Sequence, residues 1–206
     1  MSATKLIEMK VYAYYQNIAQ SKQGEEFACA NWWKTSWTNQ GWEPVMLNRS
    51  HALGSPLYNK LQQKLMSTAM GLHPELLNRF DWMVARFIRW CALYAAGGGW
   101  MTDYDVVNKK FTPEIAKAYE DHGTIHINGN EPAYIFYATK EHCANAIKKF
   151  VQESIVDGNK IVNESEILGV ENTLGDILDL IHHAKSSDLE IRSQIMLNAL
   201  SDERPI

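Results

Sequence analysis

Residues 89–108 read RWCALYAAGGGWMTDYDVVN, and the reading of the fold turns on them. An apolar helix runs from Arg89 into Gly97, Gly98 and Gly99, and a short hydrophobic step follows through Trp100 and Met101. The chain then delivers Asp103 and Asp105 on either side of Tyr104. Glycine is a poor helix former and adopts left-handed conformations readily, so the run ends the helix. It also clears side chains from a place where a ligand or another backbone can approach. At an extended strand end, residues i and i+2 point the same way, so the spacing aims both carboxylates at one spot. Two such groups repel unless a cation or a shared proton lies between them. A hard divalent ion, Mn2+ or Mg2+, suits oxygen ligands of this kind. A solvated turn after a strand has the same short pattern, so the surroundings decide.

Upstream, Lys10 to Tyr15 (KVYAYY) is β-branched and aromatic and reads as a first strand. Gln16 and Asn17 follow its carboxyl end, where open α/β sheets bind ligands. A helix is expected from Gly24 to Thr35, then a polar loop from Ser36 to Pro44, then a short buried strand from Val45 to Asn48. Strand, helix and strand make a βαβ opening. The expected class is therefore α/β, with a Rossmann-like, mostly parallel central sheet flanked by helices. His51 to Pro56 reads as loop, and Leu57, Leu61, Leu65 and Met66 keep helical spacing up to Gly71. In the long helix that follows, Phe80, Met83, Val84, Phe87, Ile88, Cys91 and Ala92 form one apolar stripe. Arg89 lies on the other side with Trp82, Arg86 and Leu93. An arginine on a second, half-covered face needs an anionic partner, either a structural carboxylate or a ligand.

Downstream, Thr112-Pro113-Glu114 looks like a helix start that carries through Tyr119. Strands are expected at Thr124–Ile127 and Ala133–Tyr137, joined by Asn128–Pro132 as a hairpin or as two strands flanking a site loop. Thr139 caps a helix from Lys140 to about Val156, with Cys143, Ala146, Ile147, Phe150 and Val151 inward. One or two helices are expected within Glu164–His182, then a polar stretch from His182 to Ser187, then a last amphipathic helix over Leu189–Leu200. No repeat or low-complexity linker interrupts the chain, so residues 1–206 are expected to be a single domain.

The 206 residues, 46% hydrophobic and 21% charged, suit a folded globular protein with a substantial core. A net charge of -4 without a long basic run argues against nucleic acid as a partner. Cys29, Cys91 and Cys143 are odd in number and widely spaced. They form no Cys-x-x-Cys pair for zinc and no disulfide framework, which favours a reducing compartment. No signal-like or membrane-spanning apolar run is present, so a cytoplasmic location is expected.

With these residues in view, the chain resembles the small glycosyltransferases of the GT-A fold that carry a DXD sugar-binding motif. Yeast mannosyltransferase-like proteins and large-clostridial-toxin-like glucosyltransferases are among them. Their pattern is an arginine on a helix, a hydrophobic stretch, Gly-Gly, an aromatic residue and Asp-x-Asp. Arg89, Gly97-Gly98, Trp100 and Asp103-Tyr104-Asp105 match it, with Arg89 eight residues before Gly97 as in the family. Ser36-Trp37 through Leu47 resembles the family's second-strand region. Two departures stand out. Arg86 occupies a position where the family often has an acid, and Met101-Thr102 puts one more residue than usual between aromatic and aspartate.

The resemblance implies transfer of a sugar, with retention, from a UDP- or GDP-sugar to a glycan, lipid or protein acceptor. It implies a Mn2+ or Mg2+ ion held by Asp103, Asp105 and His183, with Arg89, Asp103 and Asp105 as the catalytic set. The implied donor site comprises Tyr15, Gln16, Asn17, Arg89, Gly98, Gly99, Trp100, Asp103, Tyr104, His183 and Ser186. Two alternatives remain. Asp103-Tyr104-Asp105-Val106-Val107 also resembles the opening motif of haloacid-dehalogenase-like phosphatases, with Asp103 as nucleophile. A non-catalytic relative that binds a glycan or a nucleotide sugar is the other, with Trp32, Trp33, Trp37 and Trp42 available to stack on sugars.

Overall fold

The computed structural model describes residues 9–16, 23–72, 77, 80–109, 111–117, 120, 125–129, 133–157, 160–162 and 167–168. Strand β1 (Lys10–Tyr14) leads through helix α1 (Gln23–Asn39) to β2 (Glu43–Leu47). Helices α2 (Arg49–Ala52), α3 (Tyr58–Met70) and α4 (Phe80–Ala96) then return the chain to β3 (Gly98–Thr102). Short helix α5 (Pro113–Lys117), strands β4 (Ile125–Gly129) and β5 (Ala133–Thr139), and helix α6 (Lys140–Gln152) follow. A small antiparallel pair, β6 (Val156–Asp157) and β7 (Lys160–Ile161), comes last.

The class is α/β, with a mixed sheet of order β2-β1-β3-β5-β4 between helices. β1 pairs in parallel with β2 and with β3, whereas β5 runs antiparallel to both β3 and β4. The expectation of a mostly parallel sheet is corrected on that side. The two strands after α5 are adjacent and antiparallel, the hairpin option of the sequence reading, and a hairpin must present one strand reversed to its neighbour.

Along β1 the side chains alternate between two separate cores. Val11 and Ala13 join Trp33, Trp37, Trp42, Trp100 and Phe111, while Tyr12 and Tyr14 join the residues of α4 and α6. Such burial on both faces is why parallel strands read as continuous apolar runs. α4 is covered almost all round between Phe87 and Leu93, because the sheet lies on one side and α2, α3 and α6 on others. Trp90 stacks on Phe136 of β5 at 4.6 Å, and Phe87 meets Phe150 of α6 edge-on at 4.9 Å.

Several boundaries differ from the sequence reading. The expected loop after Thr35 is helix through Asn39, because Trp37 drives its ring into the sheet face and is 1% exposed. The expected loop at His51 begins instead as the short helix α2, whose cap is Asn48 accepting from the Ser50 and His51 amides. Thr139 caps α6 as expected by accepting from the His142 amide, and that helix stops at Gln152. The segments expected to be helical within 169–206 lie outside the described residues.

Candidate functional site

The chain leaves β1 for β2 on one side, and β3 returns on the other side of β1. α1 covers one sheet face and α4 the opposite one. Where consecutive connections diverge in this way, a crevice opens beyond the carboxyl ends of the two strands. Tyr15 and Gln16 emerge there from β1, and Asp103 and Tyr104 emerge from β3. Tyr15 and Tyr104 meet edge to face across the gap, with ring centroids 5.5 Å apart.

Arg89 reaches this edge from α4. Its Nη1 donates to Asp103 Oδ1 at 2.8 Å. The arginine side chain is only 6% exposed, whereas that of Asp103 is 35% exposed. A desolvated guanidinium therefore holds a carboxylate that still reaches solvent, in a charge-assisted bond of the stronger kind. The Arg89 head also lies 5.5 Å from the Phe136 ring centroid. Of the two partners the sequence left open for Arg89, the structural carboxylate is present, and it is one of the candidate site residues.

The strand ends at Thr102, and Tyr104 and Asp105 form a turn closed by the Val106 amide donating to the Asp103 carbonyl at 3.1 Å. The expected i, i+2 strand geometry for the two carboxylates is thus corrected. Asp103 turns toward Arg89, and Asp105 stands exposed in the turn two residues beyond. Among the described residues there is no group of three or more His, Cys, Asp or Glu side chains arranged to hold a metal. Two nearby carboxylates suit Mn2+ or Mg2+ in another way, since such ions commonly take one or two carboxylates and complete their shell with phosphate oxygens and water. His183, Ser186 and Asn17 lie outside the described residues.

Gly98, Gly99 and Trp100 stand at the start of β3, roughly 10–16 Å along the strand from Asp103 at about 3.3 Å per residue. Gly98 has φ +88, and a Cβ there would meet the Ala138 carbonyl and the Lys140 amide, each at 2.6 Å. Its lack of a side chain lets β5 close on β3. A Cβ on Gly99 would press on the Tyr12 ring at 3.0 Å, and Trp100 is buried with its Nε1 donating to Glu120 at 3.3 Å. The expected donor contacts at these three residues give way to packing.

Three tryptophans brace the segment that bears the carboxylates. Trp33 Nε1 donates to Thr102 Oγ1 at 2.9 Å, and that hydroxyl donates to the Asp103 carbonyl at 2.7 Å. Trp37 Nε1 donates to the Val106 carbonyl at 3.0 Å, and Trp42 Nε1 to the Phe111 carbonyl at 2.7 Å. The Asn108 amide donates to Ser36 Oγ at 3.0 Å, and the Asn108 side chain holds both backbone groups of Phe111 at 2.8 Å. Of the two readings of these rings, core or sugar-stacking surface, Trp33, Trp37 and Trp42 take the core one, at 1%, 1% and 3% exposed. Trp32 alone of the four is at the surface.

A second polar group sits at the same sheet edge, and no motif in the sequence singles it out. Arg49 Nε donates to the Tyr58 hydroxyl at 2.8 Å, and the Tyr14 hydroxyl donates to Gln16 Oε1 at 3.1 Å. Burial raises the Tyr14 phenol above its ordinary value, with a smaller opposing effect from Arg49. The carboxyl-end rule that picked out Gln16 applies equally to Asn48 and Arg49 behind β2.

A family model described as a domain of unknown function, DUF8765, matches residues 7–172. The chain belongs to this family. No curated protein and no solved structure matches it. The DUF8765 region holds every element described above, including Arg89, Asp103 and Asp105, and ends before His183 and Ser186. No helix among the described residues of this DUF8765 chain is long and apolar enough to cross a membrane.

Proposed function

We propose that the chain is a glycosyltransferase that moves a sugar from a UDP- or GDP-sugar to an acceptor, using a DXD-type site in a GT-A-like fold. The observation that carries this reading is the Arg89–Asp103 pair at the carboxyl ends of β1 and β3, with Asp105 exposed close by in the chain. The β1-α1-β2 opening and the return through α4 to a strand that ends in Asp-x-Asp support the fold assignment.

In this reading the reaction separates a sugar from a nucleoside diphosphate, and the protein's main task is to offset the charge that develops on the leaving group. Asp105, with the solvent-facing side of Asp103, would hold a Mn2+ or Mg2+ ion, which would supply Lewis-acid neutralisation of the diphosphate. Arg89 fixes the rotamer of Asp103, and its buried head excludes water from behind the carboxylate. Tyr15 and Tyr104 offer aromatic edges to the nucleobase or sugar, and the Gln16 amide is placed to bond a polar base edge. The tryptophan-anchored segment after Thr102 holds this arrangement without needing substrate to order it. The phosphatase alternative fares less well on the sequence, because its motif sits mid-chain and no Asp-Asp pair follows it.

Calorimetric titration of the intact chain with UDP, GDP and ADP, with and without Mn2+, tests the reading. Mn2+-dependent binding of UDP or GDP that Asp105→Asn abolishes is expected. Failure of every diphosphate to bind in the presence of Mn2+ overturns it.

A further inference from the structure

Arg49 is the second cation at the carboxyl edge, and its circumstances are opposite to those of Arg89. Leu47 pairs with Tyr14, and the Leu47 carbonyl accepts from the Tyr15 amide at 2.9 Å, so the ladder continues to the point where Asn48 and Arg49 depart. Asp103 departs from β3 on the other side of β1, after Thr102 pairs with Ala13. Two strand spacings, about 10 Å, separate these exits. A molecule lying across the end of β1 would meet both.

The guanidinium of Arg49 is aimed. Its Nε donates to the hydroxyl of Tyr58, a residue 3% exposed on α3, and the Asn48 cap fixes the backbone from which it springs. With Nε engaged, the planar head presents its paired Nη edge away from Tyr58, which is the edge suited to two oxygens of one phosphate. Arg49 is exposed, and no carboxylate among the described residues makes an ion pair with it. Asp81, at the start of α4, acts on it only through space. The charge of Arg89, by contrast, is matched by Asp103 at 2.8 Å and adds no net positive charge to the site. A diphosphate brought beside Asp103 and Asp105 carries more negative charge than the two aspartates and one divalent ion together offset, and Arg49 is an exposed cation at the same sheet edge.

We propose that Arg49, held by Tyr58, is the arm that binds a phosphate group of the donor's diphosphate. The inference rests on the nucleotide-sugar reading above for the identity of the donor. Tyr58 is then a positioning residue, since it acts through Arg49.

Titrations of the full chain with UDP, GDP, the parent nucleosides and inorganic pyrophosphate, all with Mn2+, test it. Arg49→Gln is expected to weaken diphosphate binding roughly tenfold or more, as loss of a bidentate charge-assisted contact implies, and to leave nucleoside binding unchanged. Arg49→Lys keeps the charge and loses the fork, so a smaller loss is expected. Tyr58→Phe keeps the charge and the ring volume and removes only the aim, so a loss of a few-fold, roughly, is expected. UDP or GDP binding that both Arg49→Gln and Tyr58→Phe leave untouched overturns the inference while the nucleotide-sugar reading stands. Arg49-dependent binding of pyrophosphate by a chain that takes none of the nucleotides upholds the phosphate arm and overturns that reading.

Discussion

Arg89 and Asp103 are joined by a 2.8 Å ion pair in which the cation is almost fully buried and the anion is a third exposed. The asymmetry makes the two partners unequal. Asp103→Ala removes a charged partner from a desolvated guanidinium and is expected to lower stability by about 3–5 kcal/mol. Arg89→Met leaves a carboxylate that water can reach, so its cost is expected to be smaller. The double variant is expected to recover part of the Asp103→Ala loss. Urea unfolding of the four proteins gives the coupling directly, and additive losses would show that the pair is not coupled.

Trp33, Trp37 and Trp42 bond to the end of β3 and the segment that follows it, each to a partner 69 positions later in the chain. The constant offset means that the stretches 33–42 and 102–111 run alongside each other in step. Trp37→Phe strands the Val106 carbonyl at an apolar interface and is expected to cost about 1–3 kcal/mol, whereas Trp42→Phe is expected to cost less, because Asn108 Nδ2 still donates to the Phe111 carbonyl. Amide exchange is the sharper readout. Protection at Val106 and Phe111 is expected to fall in these variants, while that of β1 stays near the wild type.

How much of this picture is legible in the sequence depends on the range over which each residue acts. β1, the stripe of α4 and the Thr139 cap are local patterns of apolar spacing and capping, and they are legible. The helical identity of Ser36–Asn39 is not, because its polar and β-branched residues are poor helix formers and only the burial of Trp37 in the sheet face offsets that. The reversed direction of β5 follows from the hairpin with β4, which the Asn-Gly signal offers as one of two options, and from the closeness that Gly98 permits, which no local pattern contains. Arg89 and both aspartates are legible as candidates. Their division into a buried pair and an exposed carboxylate is not, because it depends on a turn at Tyr104 that the Asp-x-Asp pattern does not specify. Arg49 gives no signal of its own, because Asn48–His51 has ordinary loop chemistry.

The glycine run offers a contrast between neighbours. Gly97 has φ +100, and a Cβ there would meet nothing within 4 Å, whereas Gly98 combines φ +88 with backbone atoms at 2.6 Å. Gly97→Ala is expected to cost about 1–2 kcal/mol from the left-handed conformation alone. Gly98→Ala adds a clash with the β5 backbone and is expected to cost clearly more, or to prevent folding. Thermal unfolding of the two variants decides, and equal midpoints would contradict the close β3–β5 contact.

Burial pushes the thiols of Cys91 and Cys143 from 9.0 up to about 12, so the folded state retains protons that the unfolded chain releases. Stability is therefore expected to be level with respect to these groups below pH 9 and to fall as pH rises from 9 toward 12, with a slope of order 1 kcal/mol per pH unit for each thiol. Replacing both with Ala should flatten that part of the curve. At neutral pH a thiol reagent is expected to modify Cys29, which is partly exposed, well before the two buried cysteines.

The central claim is that Asp105 serves chemistry and not the fold. It is exposed and sits in a turn, so Asp105→Asn is expected to change unfolding free energy by no more than about 0.5 kcal/mol. The decisive measurement is Mn2+-dependent release of UDP or GDP from a panel of nucleotide sugars by the wild type and by Asp105→Asn, with stability determined on the same samples. The account predicts turnover in the wild type and at least roughly a hundredfold loss in the variant at unchanged stability. Turnover that survives Asp105→Asn, or a wild type that releases no nucleotide from any sugar donor, would contradict it.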